Sequence, residues 1–146
     1  TIGAFAIVTL VRDSSGEVGD LNRWVGLAKR SPAMALIFSL FLLSFAGIPL
    51  TAGFIGKFTI FTAAYESGNI AVVVAGVLSS AIAAFFYIRV IVMIFFTDPE
   101  EDTVTVTIPS LYTNLTIWIA AIATLALGIF PAPFLDFIAT FATFTR

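Results

Sequence analysis

The segment from residue 31 to 67, SPAMALIFSLFLLSFAGIPLTAGFIGKFTIFTAAYES, constrains the fold more than any other part of the chain. It is almost wholly apolar, but its middle contains one lysine, Lys57, and four residues that disfavour a helix: Gly47, Pro49, Gly53 and Gly56. Proline removes a backbone donor and clashes with the carbonyl four residues before it, and nearby glycines make opening of the helix easier. The sequence therefore predicts a broken membrane-spanning helix over residues 32–67.

The expected depth of Lys57 makes it the leading candidate for a functional residue. The next polar cluster begins nine residues later, at Glu66, and ends twelve residues later, at Asn69. On a helix this separation is roughly 14–18 Å, and the hydrocarbon core is about 30 Å thick, so Lys57 is expected near the midplane. Freed backbone at that depth persists only against protein or water, and a charge beside it indicates a functional site. A static ion pair between helices is the alternative role for Lys57.

Two other charged residues are candidates for an ion pair or for the path of a proton. Glu66 lies in the polar cluster after the broken helix, and Arg89 lies about eight residues before the end of the next span. Because a guanidinium can reach toward the interface from that depth, structural and functional roles for Arg89 remain equally open.

The composition defines the class of protein. Hydrophobic residues make up 60% of the chain and charged residues 11%, against about half and a quarter in globular domains. The chain has no cysteine, which excludes disulfides and thiolate sites, and no histidine, which excludes haem ligation by imidazole. No metal site is expected, and a net charge of −2 argues against a nucleic-acid partner. These features indicate an all-α, polytopic membrane protein in contact with the lipid bilayer.

The order of apolar and polar stretches predicts the membrane topology. The expected segments are the end of a transmembrane helix (1–11), a cytoplasmic loop with a short amphipathic helix (12–31), the broken helix (32–67), a transmembrane helix (70–97), a cytoplasmic loop (98–110), a transmembrane helix (111–130) and an outer-side amphipathic tail (131–146). Four of the seven basic residues lie in the first loop, which places that loop in the cytoplasm. Its amphipathic stretch, with Trp24, is expected to pack on its own subunit. Since Thr1 opens an incomplete span, we expect the C-terminal portion of a longer protein.

Three strings of residues resemble one known family. GLAKRSPAMAL before the break, AGIPLTAGFIGKF across it and AAFFYIRVIVMIFF in the next span are similar to the antiporter-like subunits of complex I, the proton-pumping NADH:quinone oxidoreductase. The lysine of Gly56-Lys57-Phe58 makes the branch called subunit N, the counterpart of mitochondrial subunit 2, the most similar. The resemblance covers about residues 1–97. It implies the C-terminal part of a fourteen-span fold with a discontinuous helix, and it matches Lys57 to a lysine at the outlet side of a proton path.

The same resemblance implies a function and its partners. The expected role is proton translocation by a membrane subunit of a respiratory complex, driven by quinone reduction elsewhere in that complex. FMN, iron–sulfur clusters and quinone are expected in other subunits, and no Gly-rich phosphate loop follows a strand in this chain. The expected partners are other membrane subunits, including neighbouring antiporter-like ones, in a bacterial-type plasma membrane. Two alternatives remain open, a subunit of a multisubunit cation/proton antiporter and a non-conducting membrane scaffold.

Overall fold

The computed structural model describes residues 1–13, 16–17, 21–98, 105–106 and 109–142. Helices account for most of these residues, as the sequence predicts. The helices are α1 (Ile2–Val8), α2 (Leu27–Arg30), α3 (Pro32–Ala46), α4 (Ala52–Glu66), α5 (Ile70–Phe96), α6 (Leu111–Ile129) and α7 (Pro131–Ala142), with a short 3-10 helix at Leu21–Trp24. The strands are β1 (Val11–Asp13), β2 (Gly16–Glu17) and β3 (Thr105–Val106).

The segment for which the sequence predicts a broken helix contains two helices of equal length. Helix α3 begins with proline at its first turn, where the missing N–H costs nothing, and it ends at Ala46. Helix α4 begins at Ala52 and ends at Glu66. Each has 15 residues, or about 22 Å, which is shorter than a hydrocarbon core of about 30 Å. Neither half alone is long enough to cross a membrane upright.

Two helices in the described part of the chain are long and apolar enough to cross a membrane by themselves. These are α5, with 27 residues, and α6, with 19 residues. The most apolar windows of the two helices have mean hydropathies of 2.3 and 1.6. None of the α5 window and 17% of the α6 window is buried within this chain, so both present wide apolar surfaces to their surroundings.

The buried core lies between α1, α3, the last turns of α5 and the first half of α6. Ile7, Leu27, Ile94 and Ile117 are its largest fully buried side chains. Helix α4 contributes no buried residue to it. The amphipathic stretch after the first loop packs on this core, because Trp24 is only 4% exposed and its ring lies 5.1 Å from that of Phe38.

A small antiparallel sheet joins the two loops that the sequence treats as connectors. Strand β1 is central, with Arg12 opposite Glu17 of β2 and Val11 opposite Val106 of β3. The two loops therefore lie at the same end of the helices. The pairing is a non-local contact between two- and three-residue strands, too short for any periodic pattern to show. Residues 14–15, 18–20, 99–104 and 107–108 of these loops, with Glu100 among them, and residues 143–146 of the predicted tail lie outside the described residues.

Candidate functional site at the helix break

Helix α3 ends in a left-handed turn at Gly47. The φ angle of Gly47 is 83°, a conformation that a residue without a side chain adopts at little cost. Its N–H donates to the carbonyls of Leu43 and Ser44 at 3.1 and 3.0 Å, and the N–H of Ile48 also donates to Leu43, at 3.1 Å. This is the Schellman arrangement that closes many helices. It satisfies two of the last carbonyls of α3 and leaves those of the next two residues to other donors.

Lys57 supplies the donor for both of these remaining carbonyls. In a continuous helix the carbonyl of Phe45 would accept from the N–H of residue 49, but Pro49 has no N–H. Instead, Nζ of Lys57 donates to the Phe45 carbonyl at 2.9 Å and to the Ala46 carbonyl at 3.2 Å. The ammonium group therefore lies against the end of α3, where the helix dipole is negative.

The surroundings of Lys57 hold its side chain along the break. The side chain is half-buried, and a Cβ at Gly47 would lie 3.0 Å from its Cδ and 3.4 Å from its Nζ. The ion pair between described residues joins Lys29 to Asp98, and no described carboxylate pairs with Lys57. Glu66 and Arg89 are both exposed and pair neither with each other nor with Lys57. Their part in an ion pair or a proton path stays a prediction.

The two glycines of α4 differ in their surroundings, although the sequence groups them together. A Cβ at Gly53 would lie 1.8 Å from the carbonyl oxygen of Ser44, so α3 and α4 meet here backbone to backbone. The N–H of Gly53 donates to Oγ of Ser44 at 3.1 Å. A Cβ at Gly56 would meet nothing within 4 Å. Gly53 is therefore required by packing and Gly56 is not.

Three residues at the break were not found from the sequence: Ser44, Leu50 and Gly128. Leu50 has a φ of 72°, an uncommon conformation for a residue with a side chain. A Cβ at Gly128 of α6 would lie 2.3 Å from the Leu50 carbonyl oxygen and 2.4 Å from Cα of Thr51. Helix α6 thus packs directly against the non-helical backbone at Leu50 and Thr51. A glycine inside an apolar span does indicate close packing in general, but not which segment it contacts.

The cavities beside the break are apolar. One of about 470 Å³ lies between α3 and α6, against Leu40 and Trp118, and one of about 340 Å³ lies between α4, α6 and α7, against Gly56 and Phe134. In the described part of the chain, no three Asp, Glu, His or Cys side chains come together in a way that could hold a metal ion. The chemistry that the site offers is therefore that of one amine held by two backbone carbonyls.

Comparison with known proteins identifies the family. Residues 1–83, which include the break and Lys57, match the family described as NADH:quinone oxidoreductase/Mrp antiporter, TM. The chain belongs to this family. The match confirms the resemblance seen in the sequence and the class of helical membrane protein.

Relatives that match along the whole chain belong to one branch of this family, subunit N. The chain is 54% identical over 146 residues to NADH-quinone oxidoreductase subunit N of Rhodococcus opacus, covering all of the chain and 27% of that relative. It is 56% identical over 146 residues to NADH-quinone oxidoreductase subunit N 3 of Streptomyces griseus, covering all of the chain and 26% of the relative. The chain thus spans about a quarter of the length of these curated relatives.

A solved structure has the same arrangement of helices. It is a chain of the respiratory complex I from Thermus thermophilus with bound aureothin, with a TM-score of 0.77 and 28% identity. The superposition covers 89% of this chain and 29% of that one. The protein described here is accordingly an integral membrane protein with the fold of part of a complex I membrane subunit.

Proposed function

We propose that the chain is the C-terminal portion of a proton-translocating membrane subunit of NADH:quinone oxidoreductase, driven by quinone reduction elsewhere in that complex. The names of the relatives and the fold shared with a chain of complex I support this proposal. FMN, iron–sulfur clusters and quinone would lie in other subunits. The chain would reside in a bacterial plasma membrane beside other membrane subunits of the complex, among them antiporter-like ones.

The observation that carries the proposal is the contact of the Lys57 ammonium with the end of α3. An ammonium has three donors, and the carbonyls of Phe45 and Ala46 take two of them. The third donor can pass its proton to a water molecule or to a base in the remainder of the subunit. When Lys57 loses the proton, the charge that strengthens both hydrogen bonds is lost as well. Lys57 can therefore couple proton release to a loosening of the helix break.

The topology proposed from the basic residues fits this role. The loops 12–31 and 98–110 would be cytoplasmic, and the turn at 66–69 and the tail at 131–146 would be outside. Pairing of β1 with β3 supports the first half of this statement, since it brings both loops to the same end of the helices. Lys57 would then lie between the two surfaces, within reach of protons delivered from inside the subunit and released outside.

Two other functions make different forecasts. A cation/proton antiporter subunit would work without peripheral redox subunits, and the family description includes such antiporters. Purification of the intact protein together with NADH-oxidising subunits would favour complex I. If the subunit is a non-conducting scaffold, substitution of Lys57 should not change proton pumping as long as the complex assembles.

Substitution of Lys57 in the complete complex tests the proposed relay. Lys57→Ala is expected to assemble but to lose most proton pumping in membrane vesicles, because the amine proposed to carry the proton is removed. Lys57→Arg keeps the charge and the donors but cannot release a proton at accessible pH, so it should also fail. Lys29→Ala is the matched control, because it removes a lysine from an exposed ion pair outside the spans.

If Lys57 instead forms a static ion pair between helices, the reverse pattern is expected. Lys57→Arg would pump normally, and Lys57→Ala would fail to assemble because a carboxylate elsewhere in the subunit would be left unpaired. Pumping per NADH oxidised, measured on matched amounts of assembled complex, distinguishes the two roles. Normal pumping by Lys57→Arg would reject the relay.

A further inference from the structure

Ser44 is the one side chain of α3 that bonds to the backbone of α4 across the break. It is buried, with 8% of its surface exposed, and its Oγ accepts from the N–H of Gly53 at 3.1 Å. The first N–H groups of a helix have no partner within the helix. Thr51, in the N-cap position of α4, makes no capping hydrogen bond with its side chain, and its hydroxyl donates to the Ile48 carbonyl at 2.7 Å. The cap of α4 thus comes from the helix before it.

The two half-helices cap each other. Ser44 of α3 accepts from the start of α4, and Lys57 of α4 donates to the end of α3. Gly53 and Lys57 are four residues apart and so lie on the same face of α4. Ser44 directly precedes Phe45, whose carbonyl Lys57 contacts. Both sets of hydrogen bonds therefore join the same two helix ends, about one turn apart.

We propose that Ser44 is a positioning residue for Lys57, an inference that rests on the proposed relay. Its hydroxyl fixes the first turn of α4 against α3, and this fixes the distance from Nζ of Lys57 to the two carbonyls. Ser44 neither binds nor releases the translocated proton. Loss of its hydrogen bond changes how readily the ammonium leaves the carbonyls, and so changes the pH dependence of pumping.

The test compares two serines of the same helix in the complete complex. Ser44→Ala removes the bond between the helices. Ser39→Ala is the matched control, since Ser39 is also buried in α3 but donates to the Ala35 carbonyl of its own helix at 2.8 Å. Proton pumping per NADH oxidised is measured in membrane vesicles across pH. Ser44→Ala is expected to lower pumping about fivefold, the factor that corresponds to the loss of one hydrogen bond. The pH at which pumping is half-maximal should also shift. Ser39→Ala should retain the profile of the unmodified complex.

A conservative variant separates positioning from a merely structural role. Ser44→Thr keeps the hydroxyl and is expected to retain the pH profile, whereas Ser44→Cys offers only a weak acceptor and should resemble Ser44→Ala. If Ser44→Ala does not assemble, Ser44→Cys is measured in its place. A profile for Ser44→Ala, or for its Cys replacement, that matches Ser39→Ala would overturn the inference. The proposed relay would survive that result if Lys57→Ala still abolished pumping, and normal pumping by Lys57→Ala would reject both.

Discussion

Adding one methyl group at Gly53 or at Gly56 tests whether contact between the half-helices sets the position of Lys57. The two substitutions to alanine are chemically identical and lie three residues apart in α4. Alanine is more favourable than glycine within a helix by about 1 kcal/mol. At Gly56 nothing lies within 4 Å of the new Cβ, so this gain is unopposed. Gly56→Ala is therefore expected to assemble at least as well as the unmodified protein and to pump normally.

At Gly53 the same methyl group meets the backbone of α3. Its Cβ would lie 1.8 Å from the Ser44 carbonyl oxygen, whereas a tolerable carbon–oxygen contact is about 3.3 Å, so the helices must separate by roughly 1.5 Å. Overpacking of this kind costs about 1–3 kcal/mol, and loss of the Gly53 hydrogen bond costs about 1 kcal/mol more. After the gain in helix propensity, we expect a net destabilisation of about 1–3 kcal/mol. A 1.5 Å shift would also carry Nζ of Lys57, now 2.9 Å from the Phe45 carbonyl, beyond hydrogen-bonding distance.

The assay measures the amount of assembled complex in membranes, its midpoint of thermal unfolding and its pumping per NADH oxidised. Gly53→Ala should lower all three, and Gly56→Ala should lower none. Equal behaviour of the two variants would refute the reasoning, because it would mean that the contact of Gly53 with Ser44 is not tight in the working protein.

Two further predictions concern the ends of α5. Cysteines introduced at Ser67 and Thr97, in a background free of cysteine, should react with impermeant reagents from opposite sides of the membrane, because 27 helical residues span about 40 Å; reaction from one side would contradict a spanning α5. At the other end of α5, a hydrogen bond from Lys29 and its charge hold the pKa of Asp98 below its ordinary value. A lowered carboxyl pKa contributes stability above the unfolded value, and this is lost as pH falls through the folded one. Asp98→Asn should therefore lower the unfolding midpoint slightly at neutral pH, and this difference should shrink progressively as pH falls below about 4. A difference that grows toward acid pH would contradict the assignment.

The features that could be predicted from the sequence have local causes. Helical membrane character follows from the length and apolarity of the runs, and the family and fold comparisons confirm it. The helix ends at Ala46 and Ala52 lie within the predicted range 32–67, where a proline lacks an N–H and a glycine adopts a left-handed turn. Both causes belong to single residues and require no knowledge of the packing.

The features that were missed depend on which segments meet. The hydroxyl of Ser44 caps a helix nine residues later, and Gly128 contacts Leu50 from a different helix. The positive φ of Leu50 is held by that packing and not by its own preference. The pairing of β1 with β3 joins residues more than ninety positions apart. Periodicity and propensity describe one segment at a time, so none of these contacts could be derived from them.

Pro49 and Lys57 both affect the carbonyl of Phe45, because Pro49 lacks the N–H that would donate to it and Lys57 donates to it instead. In an uninterrupted helix the Phe45 carbonyl would accept from a backbone N–H that never titrates within the range in which proteins work. Pro49 removes that donor, and the side-chain amine of Lys57 donates to the carbonyl in its place. A helix end that is normally closed by backbone donors is therefore closed, in part, by the amine of one side chain. Under the proposed function, this exchange of a backbone donor for the Lys57 amine allows movement of a proton and movement of the end of α3 to affect each other.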